Sequence, residues 1–497
     1  MPAARMMRLA LLAAAAPACG ALSAPLAALR HIPPTAPRAL PARRAPLVRF
    51  SEAAGQPDGI TKVVQISDGV IEEVEECTIC EPTQCGTMPQ WLYTLAELQE
   101  RGAGSVLLIL ATCISLALAN IGATSGWWLG LWASPVGPPI GGHALSLRGW
   151  VNEGLMAIFF FVVGLEIKQE LRFGALASLR KAVLPCLAAV GGMVTPMAVY
   201  LGAQLLLGGG SMAALAVPMA TDIAFAMAIY GFFRARMPPS ASAFLLTLAT
   251  VDDVGAILVL ATCFAHDVSL KFLGLAGAIT AGLMGACRSK VADLKVYAAG
   301  AGALWWALLR SGVNSDIAGV VAALCVSTRV YTCAPDGHTE RLTERAITRL
   351  APLATFAIMP IFALANTAVR LGGLGGPAAA AGAAPAIGVA AGLLLGKPLG
   401  IVAFTWLAVR SGVAAMPSGM RPIHLGIVGV LGAIGFTMCL LLTEVAVPAV
   451  ATQALPKLAV LVSSGLAAVV ASIAMSRLPL RNGADDQAGD APRPKAA

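Results

Sequence analysis

Long apolar runs separated by short polar stretches fill the chain from about residue 104 to 476. Runs of about 17–25 such residues are what a helix needs to cross a hydrocarbon core of ~30 Å. They predict about twelve spans, at 104–124, 150–168, 182–204, 213–233, 241–262, 271–286, 294–309, 313–329, 351–369, 385–409, 423–446 and 457–476. The sixth and eighth are short, so their limits are the softest. In the fifth, Leu248-Ala249-Thr250-Val251-Asp252-Asp253-Val254-Gly255-Ala256-Ile257-Leu258 sets two adjacent carboxylates among residues that are otherwise largely apolar. A charged side chain at mid-membrane costs ~2.5–3.5 kcal/mol on insertion scales. A misjudged helix end could put both in the headgroups, but about ten largely apolar residues lie on each side. Intramembrane carboxylates face a water-filled path or a cationic partner. The pair reads as a site for cations or protons.

Two other spans are interrupted. The fourth contains Val217-Pro218-Met219-Ala220-Thr221-Asp222-Ile223, where a proline, a hydroxyl and a carboxylate meet at mid-span. The eleventh carries Gly426, Gly429, Gly432 and Gly435 and closes in Gly435-Phe436-Thr437-Met438. Proline and glycine break intrahelical hydrogen bonding and leave carbonyls and half-helix ends free. Broken spans at corresponding places in two halves of a chain point to a transporter's ion site. Gly429 alone reads better as a close helix approach; the Thr221-Asp222 pair beside Pro218 does not. Lys397, in Leu393-Leu394-Leu395-Gly396-Lys397-Pro398-Leu399-Gly400, lies within the tenth span. A buried lysine needs a carboxylate partner or must give up its proton. Snorkelling to an interface is its alternative. Asp222, Asp252 and Asp253 thus stand against Lys397 at membrane depth.

Composition agrees with the pattern. The 497 residues are 58% hydrophobic and 12% charged, with a mean hydropathy of +0.78, whereas soluble domains carry about 25% charged residues. The fold class is an all-α polytopic membrane protein. The net charge of +8 does not mark a nucleic-acid binder, because Arg and Lys are scattered over short loops without interleaved aromatics. Loops after even-numbered spans hold Lys168, Arg172, Arg180 and Lys181, then Arg234 and Arg236, then Arg288, Lys290 and Lys295. Arg329, Arg341, Arg345 and Arg349, then Arg410 and Arg421, then Arg477 and Arg481 continue the series. Loops after odd-numbered spans hold Arg148, His266, Arg310 or Arg370. The positive-inside rule then puts both ends on the cytoplasmic side or its organellar equivalent.

The ends differ from the middle. Residues 1–50 carry seven arginines and no acid. Their apolar stretch at 9–18, followed by Gly20 and Ala24, resembles a secretory h-region leading into an Arg/Pro/Ala-rich transit-type extension. Such a bipartite leader is what proteins of complex plastids carry; a plain signal peptide and a disordered tail are the alternatives. Either leader points to a eukaryotic host. Residues 51–101 are acidic, with Glu72, Glu73, Glu75, Glu76 and Glu81, and read as a mostly disordered extension holding one short strand around 62–66. Cys77, Cys80 and Cys85 are one ligand short of a zinc site, leaving a redox or shared-metal role open. The transporter domain is expected over 102–480, with a disordered tail at 481–497.

Taken together, several stretches resemble the NhaA-type sodium/proton antiporters. They are Trp150-Val151-Asn152-Glu153-Gly154-Leu155-Met156-Ala157-Ile158-Phe159-Phe160, Gly164-Leu165-Glu166-Ile167-Lys168, Ala220-Thr221-Asp222-Ile223-Ala224-Phe225-Ala226, Val251-Asp252-Asp253-Val254-Gly255-Ala256-Ile257, Gly396-Lys397-Pro398-Leu399-Gly400-Ile401 and Gly435-Phe436-Thr437-Met438. The resemblance implies twelve helices in inverted repeats, with the fourth and eleventh discontinuous and crossing near the midplane. It implies that Asp253 is the main cation carboxylate and that Asp252 pairs with Lys397. Asp222 and Thr221 are implied as the polar residues at the break and, with the aspartate pair, as cation- or proton-binding residues. Glu166 and Glu170 are implied as pH-sensing acids at the entrance. Asp253 and Thr221 would be ligands of transported Na⁺.

Two departures bear on pH sensing. Gln169 stands where the family commonly has Arg, and Ile347-Thr348-Arg349-Leu350-Ala351-Pro352 lacks the family's acid and histidines.

The function implied is pH-dependent exchange of Na⁺ or Li⁺ for H⁺ by alternating access, in a transporter rather than an enzyme. No cofactor is implied, the surroundings are the lipid bilayer, a homodimer is the candidate assembly, and no nucleic acid takes part. The expected address is a plastid or other organelle membrane, with the plasma membrane as alternative. An intramembrane aspartyl protease would need a Gly-x-Gly-Asp signature, which is absent, and a cation channel would present rings of charge from several subunits.

Overall fold

Inside a bilayer every backbone N–H and C=O must pair within the chain, so an apolar run has little choice but helix. A computed structural model describes residues 64–67, 70–73 and 90–480, except 101, 138–143, 209–211, 266–267, 329, 334–338, 373–376 and 448–449. The leader, Cys77, Cys80, Cys85, His266, His338 and the tail from Arg481 lie outside the described residues. Helix stands at each of the twelve expected positions. Among the described residues nine helices are long and apolar enough to cross a membrane, or ten when Pro422–Gly432 and Phe436–Ala446, bent by 42°, are counted together. Leu294–Ser311 and Ile317–Cys325 complete the series without meeting that measure. The second of these, at ~1.5 Å per residue, reaches only ~14 Å. The protein is a multi-pass, all-α integral membrane protein.

The limits differ from expectation where amphipathic turns extend an apolar run. The ninth helical stretch starts at Leu342, nine residues before the apolar run, because Leu342 and Ala346 bury one side while Arg345 and Arg349 stay outside the core. Gln90–Glu100 is helical within the segment read as a disordered extension, and packs beside Leu342–Leu353. The expected strand near 62–66 is Val64–Ser67, paired antiparallel with Val70–Glu73. A second hairpin, Tyr331–Cys333 with Thr339–Arg341, was not foreseen.

Two apolar clusters hold the bundle. The larger is built mainly on the fourth, fifth, ninth and eleventh spans; the smaller joins the second span to the sixth, seventh and eighth. The third span, Leu179–Leu207, lies along Lys397–Arg410 at glycine contacts. A β-carbon on Gly396 would come within 2.6 Å of the Pro196 α-carbon, so the two backbones touch there. Each interrupted span sits between its chain neighbours, the third and fifth in one half, the tenth and twelfth in the other. Lys168 departs from its expected loop role: it is buried, and its ammonium donates to the carbonyls of Leu324 (2.7 Å) and Val326. It thereby satisfies orphan groups at the C-terminal end of Ile317–Cys325, where a cation is electrostatically favoured.

Candidate functional site

Both expected interruptions are breaks in the helical backbone. The fourth span runs as a 3-10 helix over Ala213–Met219, loses helical form at Ala220-Thr221-Asp222, and resumes as Ile223–Phe232. Pro218 has no N–H to give the turn, which frees carbonyls upstream. The eleventh span breaks between Gly432 and Phe436. The two breaks meet: the Asp222 N–H donates to the Ile434 carbonyl at 2.7 Å. A β-carbon on Gly435 would stand 2.9 Å from the Ala220 carbonyl oxygen, so glycine is required for that approach. Gly429 fits its reading as a packing glycine, because a β-carbon there would lie 3.2 Å from the Pro398 carbonyl.

Asp222 is fully engaged at this junction. Its Oδ1 accepts from the Phe225 N–H at 3.0 Å, capping the second half-helix. Its Oδ2 accepts from the Thr437 N–H at 3.0 Å and the Thr437 hydroxyl at 2.6 Å. Thr437 is a functional residue beyond those the sequence assigns; its signal is its place at the glycine break.

Asp252 and Asp253 sit on the most enclosed span, Pro239–Cys263. Adjacent helical positions point about 100° apart, and the two carboxylates part accordingly. Asp252 is fully buried, with Oδ2 3.2 Å from Lys397 Nζ and 2.8 Å from the Thr221 hydroxyl. That hydroxyl also lies 3.0 Å from the Gly432 carbonyl, and the Lys397 ammonium donates to the Met219 carbonyl freed at the break. Snorkelling is thereby excluded for Lys397, which is 0% exposed. Asp253 faces the other way, into a cavity of about 1030 Å³. Its Oδ1 is buried without a hydrogen-bond partner, as is Asp252 Oδ1.

The cavity runs from Asp253 past Asp222, Thr437 and Thr250 to Glu166, Gln169, Glu170 and Arg234. Glu166 is exposed within it. Glu170 accepts from the Ala175 N–H at 2.8 Å and the Thr247 hydroxyl at 3.1 Å. Ile347, Thr348, Ala351 and Pro352 form part of its wall, so Gln169 and this stretch line one cavity. Its mouth lies at the ends of the second, fourth and ninth spans, on the side of the basic loops.

At the opposite ends of the spans lies a set of charges beyond the four that the sequence places at membrane depth. Glu444 receives the Lys457 ammonium and lies 3.8 Å from Arg148. Their signal was present, an acid and a lysine within apolar runs, but both stood close to the expected ends of their spans. This trio links the second, eleventh and twelfth spans.

The model of the family described as Na⁺/H⁺ antiporter 1 matches residues 96–475. A Na⁺/H⁺ antiporter NhaA of Shewanella sediminis is 38% identical over 359 residues, covering 70% of this chain and 86% of that protein. The proteins of the same name from Salmonella arizonae and Escherichia coli O1:K1 / APEC are 37% and 36% identical, each covering 74% of this chain and 94% of the relative. The family model spans most of the chain and the relatives are covered over most of their own length, so the chain is a member of the Na⁺/H⁺ antiporter 1 family.

Proposed function

We propose that the protein exchanges Na⁺ or Li⁺ for H⁺ across its membrane by alternating access, with Asp253 as the carboxylate that holds either the cation or the proton. The observation that carries this is the contrast among the three aspartates. Asp222 is saturated by a half-helix and Thr437, and Asp252 is tied to Lys397 and Thr221. Asp253 alone of the three combines a buried, unpartnered oxygen with a place on the cavity without an ion pair. A small hard cation prefers such oxygen ligands. In this reading Thr221 turns from Asp252 to complete the cation's shell, and Asp222 holds the junction rather than the cargo. Binding of cation and proton is mutually exclusive at one carboxylate, which couples the two fluxes when the site is exposed to each face in turn. The junction of the two broken spans is placed near the midplane on this view. Glu166, Glu170 and Gln169 line the approach, and pH control is assigned to them.

The test is collapse of a preset proton gradient in everted vesicles on adding Na⁺, Li⁺ or K⁺ across a pH series. Cation-dependent recovery that saturates supports exchange; cation flux that needs no opposing proton movement would make the protein a channel. The address is a separate part of the proposal. The Arg-rich residues 1–50, fused to a fluorescent protein, are expected to reach an organelle, with the plastid first. A diffuse cytosolic signal would remove that reading.

A further inference from the structure

At the end of the second span away from the cavity lies a carboxylate arrangement with no part in the mechanism above. Glu153 stands thirteen residues before Glu166, ~20 Å along the helix. Its Oε2 accepts from the Ser315 hydroxyl at 3.1 Å. Its main-chain carbonyl accepts from the Trp305 indole at 2.6 Å and lies 3.3 Å from the same hydroxyl. Next to Ser315 is Asp316, 2% exposed, whose Oδ1 is buried without a hydrogen-bond partner. An aspartate directly before a helix ordinarily accepts from first-turn N–H groups. Asp316 precedes Ile317–Cys325 and does not: its backbone is already helical and its side chain makes no cap bond. Glu153 is held next to it in the fold by its bond to the adjoining Ser315. The basic residues on the adjoining stretches are turned elsewhere, Arg148 to Glu444 and Arg310 to the Phe272 ring.

A buried carboxylate oxygen left without a partner is costly, and a second carboxylate beside it raises the cost. Helix capping does not explain this one. Glu153, Ser315 and Asp316 offer oxygen donors alone, which suits a hard cation and not a soft metal. Glu153 is only part-buried, so the group can be reached from the face opposite the cavity mouth. We propose that Glu153, Ser315 and Asp316 form a second site for a hard monovalent cation, at the far end of the route from Asp253. The choice of a monovalent Na⁺ or Li⁺ and the site's place on a route from Asp253 rest on the exchange reading; the oxygen-donor site itself does not. The site gives the released cation a binding step between Asp253 and the far-side water.

Equilibrium binding of radioactive Na⁺ to the purified full-length protein tests it. Asp253→Asn removes the central carboxylate and should leave saturable binding of about one Na⁺ per chain. Adding Asp316→Asn should raise the half-saturating Na⁺ at least tenfold, and adding Ser315→Ala several-fold. Absence of saturable binding in folded Asp253→Asn protein overturns the site. So does residual binding that neither further change moves. Should Asp316→Asn fail to fold, Ser315→Ala decides, since an unchanged half-saturation there is equally fatal. Vesicle exchange is read in parallel: a wild-type chain that binds Na⁺ in this pattern without exchanging it overturns the exchange reading and leaves the site standing.

Discussion

Asp252 and Asp253 share a peptide bond and little else. One is locked in a buried ion pair, and the other faces a cavity with an oxygen unused. Exchanging either for asparagine keeps its volume and removes its charge, yet the outcomes should differ. Asp253→Asn is expected to abolish cation-dependent proton movement while leaving the melting temperature near that of the parent. Asp252→Asn should lose stability as well, by ~3–5 kcal/mol, because Lys397 is then buried without its partner. Lys397→Ala should cost a similar amount. The double change Asp252→Asn with Lys397→Gln should recover much of the loss, since neither charge is orphaned. Melting curves in detergent decide it, and single losses that merely add would deny the pairing. Thr221→Val should weaken the Asp252 end of the same network by about 1 kcal/mol, the usual net value of one hydrogen bond.

At the scale of elements, the sequence was most legible where local chemistry and membrane physics agreed. Apolar length located the helices, and Pro218 and the glycines at 432 and 435 located both breaks, because a missing N–H or β-carbon acts on the backbone directly. That the breaks are bonded to each other was not readable, since Asp222 and Thr437 are 215 residues apart and only the fold joins them. The Leu342 start was missed for another reason: its first three turns are amphipathic and carry too much charge to count as apolar. Lys168 looked like a loop charge for want of any local mark that it caps a helix from another span. The wall of the cavity carries its own prediction. Gln169 replaces an Arg that the family pattern leads one to expect, opposite a stretch lacking acid and histidine. Activation by pH should therefore be shallower than in relatives or displaced, and Gln169→Arg should steepen or shift it. An unchanged profile in that variant, measured in vesicles, would move the sensor away from this wall.

Across the whole molecule, the cavity opens at one face while Arg148, Glu444 and Lys457 tie three spans together at the other. In the proposed cycle this tie loosens when the site opens to the far side. Glu444→Gln should cost ~1–3 kcal/mol, less than a fully enclosed pair because Glu444 retains some contact with solvent. It should also speed hydrogen exchange over 436–446, and protection unchanged there would leave the trio without a gating role. The contact between Lys397 and Asp252 has an electrical consequence. In the proposed exchange, while that contact stays closed, trading one proton on Asp253 for one Na⁺ would move no net charge, and the membrane potential would neither drive nor oppose turnover. Each additional elementary charge carried per cycle is worth ~2.3 kcal/mol per 100 mV. In that proposed exchange, a current would arise when the ammonium and carboxylate separate so that a second proton can ride. On that reading, whether the carrier draws on voltage or only on concentration follows from how firmly one lysine holds one aspartate.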